Sequence, residues 1–284
     1  MRLLFLSMLA AVLNFSAYAQ SEKTETDGTE KKVSGISVSP SSLRFNTRPG
    51  SIQTQEVKVS NNTDEDFKFQ IGFSDFMMNE FGKPGPVTPE NSKYALSKWV
   101  AASPSFVELK AGESKKIIVT VNIPDREDAH ISAWTILTID QISERPPLTF
   151  GGSNNAIAMG IVPSFGFGVY VYQNPPNVKN NQVEITSFRH VPSEKKNTLI
   201  LKMKNTGDGI GFCGTYVELT HLKTGKQKRL PVRQFTILPG FIREIGFDLP
   251  EDMPDGAYSA AGVLDFNSTE EIQAAEIEFT LSKK

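Results

Sequence analysis

Residues 67–73, FKFQIGF, place Phe67, Phe69, Ile71 and Phe73 on one parity and Lys68, Gln70 and Gly72 on the other. Alternation of apolar and polar or small side chains has the two-residue period of a strand with one face buried. The pattern spreads in both directions. Upstream, residues 54–60 (TQEVKVS) put Val57 and Val59 on one face. Downstream, residues 115–121 (KKIIVTV) and 134–139 (WTILTI) continue the series, with Lys110-Ala111-Gly112-Glu113 as a turn between strands. Residues 156–172 read as one further extended segment, bent where Pro163 and several glycines interrupt it. Residues 94–100 (YALSKWV) have room for a turn or two of helix inside the connection 74–105, and no long segment carries clean helical periodicity.

Residues 173–182 (QNPPNVKNNQ), with two prolines and four asparagines, read as a linker. Strands are expected after it at 183–191, 198–204, 214–222, 228–238, 241–248, 256–266 and 272–281, most of them separated by Gly, Pro or Asn turns. Short strands at this spacing over about 100 residues argue an immunoglobulin-like sandwich. Tyr258, in Asp255-Gly256-Ala257-Tyr258, has the setting of a tyrosine corner, in which the phenol bonds back to nearby backbone. A plain half-buried Tyr fits the same residues. The expected fold class is therefore all-β, two immunoglobulin-like β-sandwich domains at residues 36–172 and 183–284 joined by the linker 173–182.

The N-terminus sets the expected compartment. Arg2, the apolar stretch 3–13 and the small-x-small site Ala17-Tyr18-Ala19 make a secretory signal peptide over residues 1–19. Its apolar core is shorter than the ~20 residues a bilayer span needs. No Cys follows the site, so no lipoprotein anchor is expected, and the mature chain is expected not to span a membrane. Residues 20–35 read as a disordered tether, since 20–32 hold no aliphatic or aromatic side chain. The formal net charge of −2 with interspersed signs argues against nucleic acid or an anionic membrane surface as main partner. Cys213 is the one cysteine, expected as a small core residue.

No catalytic constellation emerges. His130, His190 and His221 lie far apart without metal-ligand spacing, among polar neighbours that read as surface or edge positions. Gly166-Phe167-Gly168 sits in an apolar strand with no helix after it, unlike a phosphate loop. Asp64-Glu65-Asp66 and Glu251-Asp252 are loop charges, with Ca²⁺ binding the lesser reading. No enzyme activity, cofactor or metal is expected. Trp99 and Trp134 could stack on sugars if exposed, although Trp134 reads as part of the first core.

A family resemblance rests on the order of several motifs. Residues 36–45 (ISVSPSSLRF) open the first domain and 55–62 (QEVKVSNN) form a strand ending in an Asn pair. Residues 103–116 (SPSFVELKAGESKK) give a short strand, a Gly turn and a strand begun by a basic residue. Residues 134–147 (WTILTIDQISERPP) look like a penultimate strand and a proline-bearing loop. In this order they resemble the PapD-like periplasmic pilus-assembly chaperones, as a divergent member. The resemblance implies periplasmic binding of exported or surface-assembled β-rich subunits by edge-strand, donor-strand-like pairing. On that reading Ile157, Met159, Ile161, Phe165, Phe167 and Val169 are the partner-binding side chains of the first domain's last strand. The same alternation fits a strand packed in its own core. The family also implies a client carboxylate held by two cations in the interdomain cleft. Arg44 is the cation nearest the first position, and near the second stand Gly168 and Tyr170 with no Lys. The alternative function is a structural or accessory module of a cell-envelope secretion or adhesion complex, and a carbohydrate-binding module is a third reading.

Overall fold

The computed structural model describes residues 34–143, 164–178, 182–193, 196–267 and 272–282. The readings of the signal peptide and of most of the tether fall on residues 1–33, outside the described residues. The first sandwich is built from β1 (Ile36–Ser39), β2 (Ser42–Phe45), β3 (Ile52–Asn61), β4 (Phe67–Ser74), β5 (Phe76–Met78), β6 (Pro84–Pro86), β7 (Val100–Ser103), β8 (Phe106–Leu109), β9 (Ser114–Asn122), β10 (Ala133–Gln141) and β11 (Gly166–Gln173). One sheet has the order β1-β3-β9-β7 and faces a second of order β2-β11-β10-β4-β8. Alternation decides what lies between them. Val57, Val59, Phe69, Ile117, Leu137 and Ile139 are all buried in one cluster. The segment 94–100 supplies a 3-10 turn, Leu96–Trp99, and then β7.

The second sandwich comprises β12 (Val183–Val191), β13 (Thr198–Asn205), β14 (Gly211–His221), β15 (Gln227–Arg229), β16 (Arg233–Ile237), β17 (Ile242–Asp248), β18 (Gly256–Asp265) and β19 (Gln273–Leu281). Its sheets run β12-β13-β17 and β15-β14-β18-β19, with β16 also paired to β14. The single strand expected at 228–238 is two, both paired to β14 and interrupted at residues 230–232, where Pro231 cannot donate to the ladder. The edge strand β12 carries a bulge between Ile185 and Ser187, which interrupts an otherwise regular edge. Both halves of the chain are thus immunoglobulin-like sandwiches, and from Ser34 onward they form one compact unit.

The Tyr258 hydroxyl donates to Pro254 O at 2.7 Å, so the corner is formed. The histidine reading needs one correction. His221 is only 7% exposed, not a surface residue. Its Nδ1 accepts the N–H groups of Lys223 and Thr224, which ties the β14–β15 turn, and the ring edge meets the Tyr258 ring. Polar sequence neighbours hid this because they are the turn that it holds.

Cys213 is buried in the second core, and burial pushes its thiol up to about 12. A thiol reagent at pH 8 is expected to leave Cys213 unmodified in the native chain and to label it once denaturant unfolds the second sandwich. Rapid labelling of the folded protein would contradict this placement.

Candidate functional site

The last strand of the first sandwich, β11, pairs antiparallel with β10 along its length, from Gly166 opposite Asp140 to Gln173 opposite Ala133. On its other side lies β2, parallel, but only from Tyr170 opposite Ser42 to Gln173 opposite Phe45. Tyr170 N–H donates to Ser41 O at 3.1 Å and Asn174 N–H to Phe45 O at 2.9 Å, so even-numbered main-chain groups face the β2 side. Gly166 and Gly168 have the same parity and lie upstream of the point where β2 begins. Among the described residues no strand pairs with them there. Both are exposed. Among the described residues this leaves a short open edge, where two glycines bring no side chain of their own.

The side chains of the opposite parity divide. Phe165 is 41% exposed and packs edge-on against Phe67, Phe69 and Phe167, with ring centroids 5.7–6.1 Å away. Phe167 is half-buried against the first core. Val169 is 1% exposed inside that core, so its side chain is not offered to a partner. Ile157, Met159 and Ile161 lie outside the described residues. Of the six side chains taken for partner binding, Phe165 is thus the one seen well exposed.

Below the open edge the two sandwiches meet through a buried apolar cluster. It contains Phe76, Met78, Trp134 and Tyr172 from the first sandwich and Ile210 and Leu238 from the second. Trp134 is 1% exposed, so it cannot stack on a sugar, and it faces this cluster rather than the first core. The reason is parity: Leu137 and Ile139 point inward, so Trp134 and Ile136 point to the other face. Tyr94 stacks on Trp134 at 4.5 Å, and Trp134 Nε1–H donates to Phe76 O at 2.8 Å. Burial pushes the Tyr172 phenol up to about 12, keeping it neutral.

Polar groups brace the join. Gln173, read as the first linker residue, is the last of β11, and its side-chain amide exchanges two hydrogen bonds with the Thr47 backbone. Asn174 Oδ1 accepts Ile210 N–H at 3.2 Å. Ser132 Oγ lies 2.7 Å from Asn174 Oδ1 and 2.8 Å from Asp208 O, so its single proton serves either. The connection 74–105, of unassigned role in the sequence, sends the β5–β6 hairpin onto the second sandwich, where Glu244 N–H donates to Glu80 O at 2.7 Å.

Arg44 projects from β2 toward the second sandwich, with its guanidinium 3.8 Å above the Phe212 ring centroid. It is exposed and makes no ion pair among the described residues. A cavity of about 260 Å³ opens there, lined by Arg44, Phe212, Gln234, Thr236, Asp265 and Asn267 among others. The strand position sought for a second cation holds Tyr170, whose ring stacks on Tyr172. Among the described residues no group of His, Cys, Asp and Glu has the arrangement of a metal site. No helix there is long and apolar enough to cross a membrane.

Fimbrial chaperones are similar to this chain. The class 5 fimbriae chaperone CfaA is 14% identical, over 86% of this chain and 98% of its own, with a TM-score of 0.42. The E. coli chaperone DraB is 16% identical, over 86% and 97%, at 0.40. The periplasmic chaperone SfaE is 12% identical, over 84% and 98%, at 0.39. No family model matches the chain, and no curated protein matches it in sequence.

Proposed function

We propose that the chain is a periplasmic, non-catalytic chaperone-like protein that holds exported or surface-assembled β-rich subunits by strand addition to β11. The observation that carries the reading is the half-covered strand. Ahead of the point where β2 begins, Gly166 and Gly168 present main-chain groups that no strand among the described residues pairs, the prerequisite for β-augmentation. Phe165, beside that edge, offers an apolar contact for a client side chain. Arg44, below it, is the group we assign to a client carboxylate, a guanidinium being suited to paired hydrogen bonds with one. The periplasmic setting rests on the signal peptide expected at residues 1–19.

Gly168→Pro tests the edge, because it removes an outward N–H that no ladder among the described residues uses. Envelope extract passed over immobilised wild type is expected to enrich exported β-rich subunits. Gly168→Pro is expected to lose about nine-tenths of that enrichment while melting within a few degrees of wild type. Equal recovery on both columns would sink the strand-addition reading. Stable recovery of one fixed outer-membrane assembly by both would favour a permanent envelope component instead.

A further inference from the structure

We propose that the β5–β6 hairpin is a latch, firmly anchored at its base, whose tip closes on the second sandwich against the standing cost of two Arg243 guanidinium nitrogens, Nε and Nη1, buried without an acceptor. The base is held three ways. Phe76 and Met78 sit in the cluster shared by both sandwiches, Trp134 bonds Phe76 O, and the Asp75 carboxylate accepts both the N–H and the hydroxyl of Ser97. The turn itself is preorganised. Asn79 Oδ1 accepts the N–H groups of Phe81 and Lys83, and Gly82, at φ +81°, donates its N–H to Asn79 O.

The tip has less to keep it down. Its main-chain bond to the second sandwich is Glu244 N–H to Glu80 O. Phe81, at the turn, is 67% exposed and adds little burial on closing. Gly82 lies against the Arg243 guanidinium so closely that a Cβ would overlap it. Beneath that cover Arg243 Nε and Nη1 are shut from solvent, with no acceptor among the described residues. The neighbouring Glu244 carboxylate is engaged by Arg189 and Lys202 and supplies no counter-charge. Burial pulls the Arg243 pKa down, with Tyr172 and Tyr170 working the other way. Arg243 keeps part of its surface exposed and its guanidinium carbon lies 5.9 Å from the Phe235 ring centroid, but two N–H donors shut in without acceptors oppose the state that buries them. The latch tip therefore belongs to the low-stability part of the fold, and its opening uncovers the Arg243 guanidinium while Phe76, at the anchored base, stays on Tyr170. None of this depends on what β11 binds.

Hydrogen exchange at the Glu244 amide reads the opening directly in the full mature chain. Arg243→Met keeps the apolar stem and removes the unpaired donors. It is expected to slow Glu244 exchange about tenfold. Gly82→Ala, which adds a Cβ at a left-handed position against the guanidinium, is expected to speed it at least tenfold. Val57 and Val119 amides, deep in the first sandwich, should exchange as in wild type in both. If Arg243→Met leaves Glu244 exchange unchanged or faster, the guanidinium does not oppose closure and the proposal is wrong. If Arg243→Met and Arg243→Leu both unfold the chain, Arg243 is a support rather than a strain, and the proposal is equally wrong.

Discussion

Trp134→Ala is expected to lower the free energy of unfolding by about 3–5 kcal/mol, the range for emptying a fully enclosed large aromatic site. The indole is 1% exposed and is the largest fully buried side chain in the chain. Three losses coincide at this one position: the stack on Tyr94, the edge contact with Phe241 of the second sandwich, and the hydrogen bond that fixes the Phe76 carbonyl. The site cannot collapse easily, since its walls are two rigid sheets and the hairpin base. Denaturant titration followed by near-UV circular dichroism measures the change. A loss under 1.5 kcal/mol would mean that the interface cluster repacks freely. Trp134→Phe, which keeps the ring but not the donor, should fall between wild type and Trp134→Ala.

The second large effect is expected at Asn61, where replacement by Ala should cost about 3 kcal/mol, the order for several buried partners left unpaired. Asn61 is completely buried. Its Nδ2 donates toward Glu65 O at 2.7 Å, Lys110 O at 3.0 Å and Leu109 O at 3.3 Å, while Oδ1 accepts Thr63 N–H and the Thr63 hydroxyl. One amide thus joins the turn after β3 to the end of β8. Asn205 does the same work in the second sandwich, with Nδ2 to Gly209 O and Ile237 O and Oδ1 from Gly207 N–H. Asn61→Asp is the sharper variant, because a carboxylate faces the same carbonyls without donors. Thermal melts should rank it at or below Asn61→Ala. If Asn61→Asp melts like wild type, the amide is not holding the turn.

The regular parts of this fold are legible in single residues. FKFQIGF and KKIIVTV alternate, and both became strands with the apolar parity inward. Asp255 to Tyr258 became a tyrosine corner. What escaped has a common physical cause: its meaning depends on residues far away in the chain. Within the connection 74–105, Pro84-Gly85-Pro86 pairs with β5 although its two prolines can donate nothing, a hairpin that no alternation in the sequence announces. Trp134 was assigned to the first core as a large apolar residue. The WTIL run is apolar on both parities, the signature of a strand buried on both faces, and that clue pointed to a second apolar layer. At the proposed edge, the alternation of 157–169 could not separate a core strand from an offered one. How far β11 is covered at Gly166 and Gly168 is set by the length of β2, four residues long and more than a hundred positions away in sequence.

That brevity has a further consequence. Any strand lying along the open side of β11 must end where β2 begins, at Ser41 and Ser42. On the proposed function, β2 would act as a ruler with its zero already marked. Guests of different sequence would all be measured from the same stop, their alternate side chains falling in step with Phe165, and a guest longer than the open stretch would overhang at its far end rather than slide past the mark.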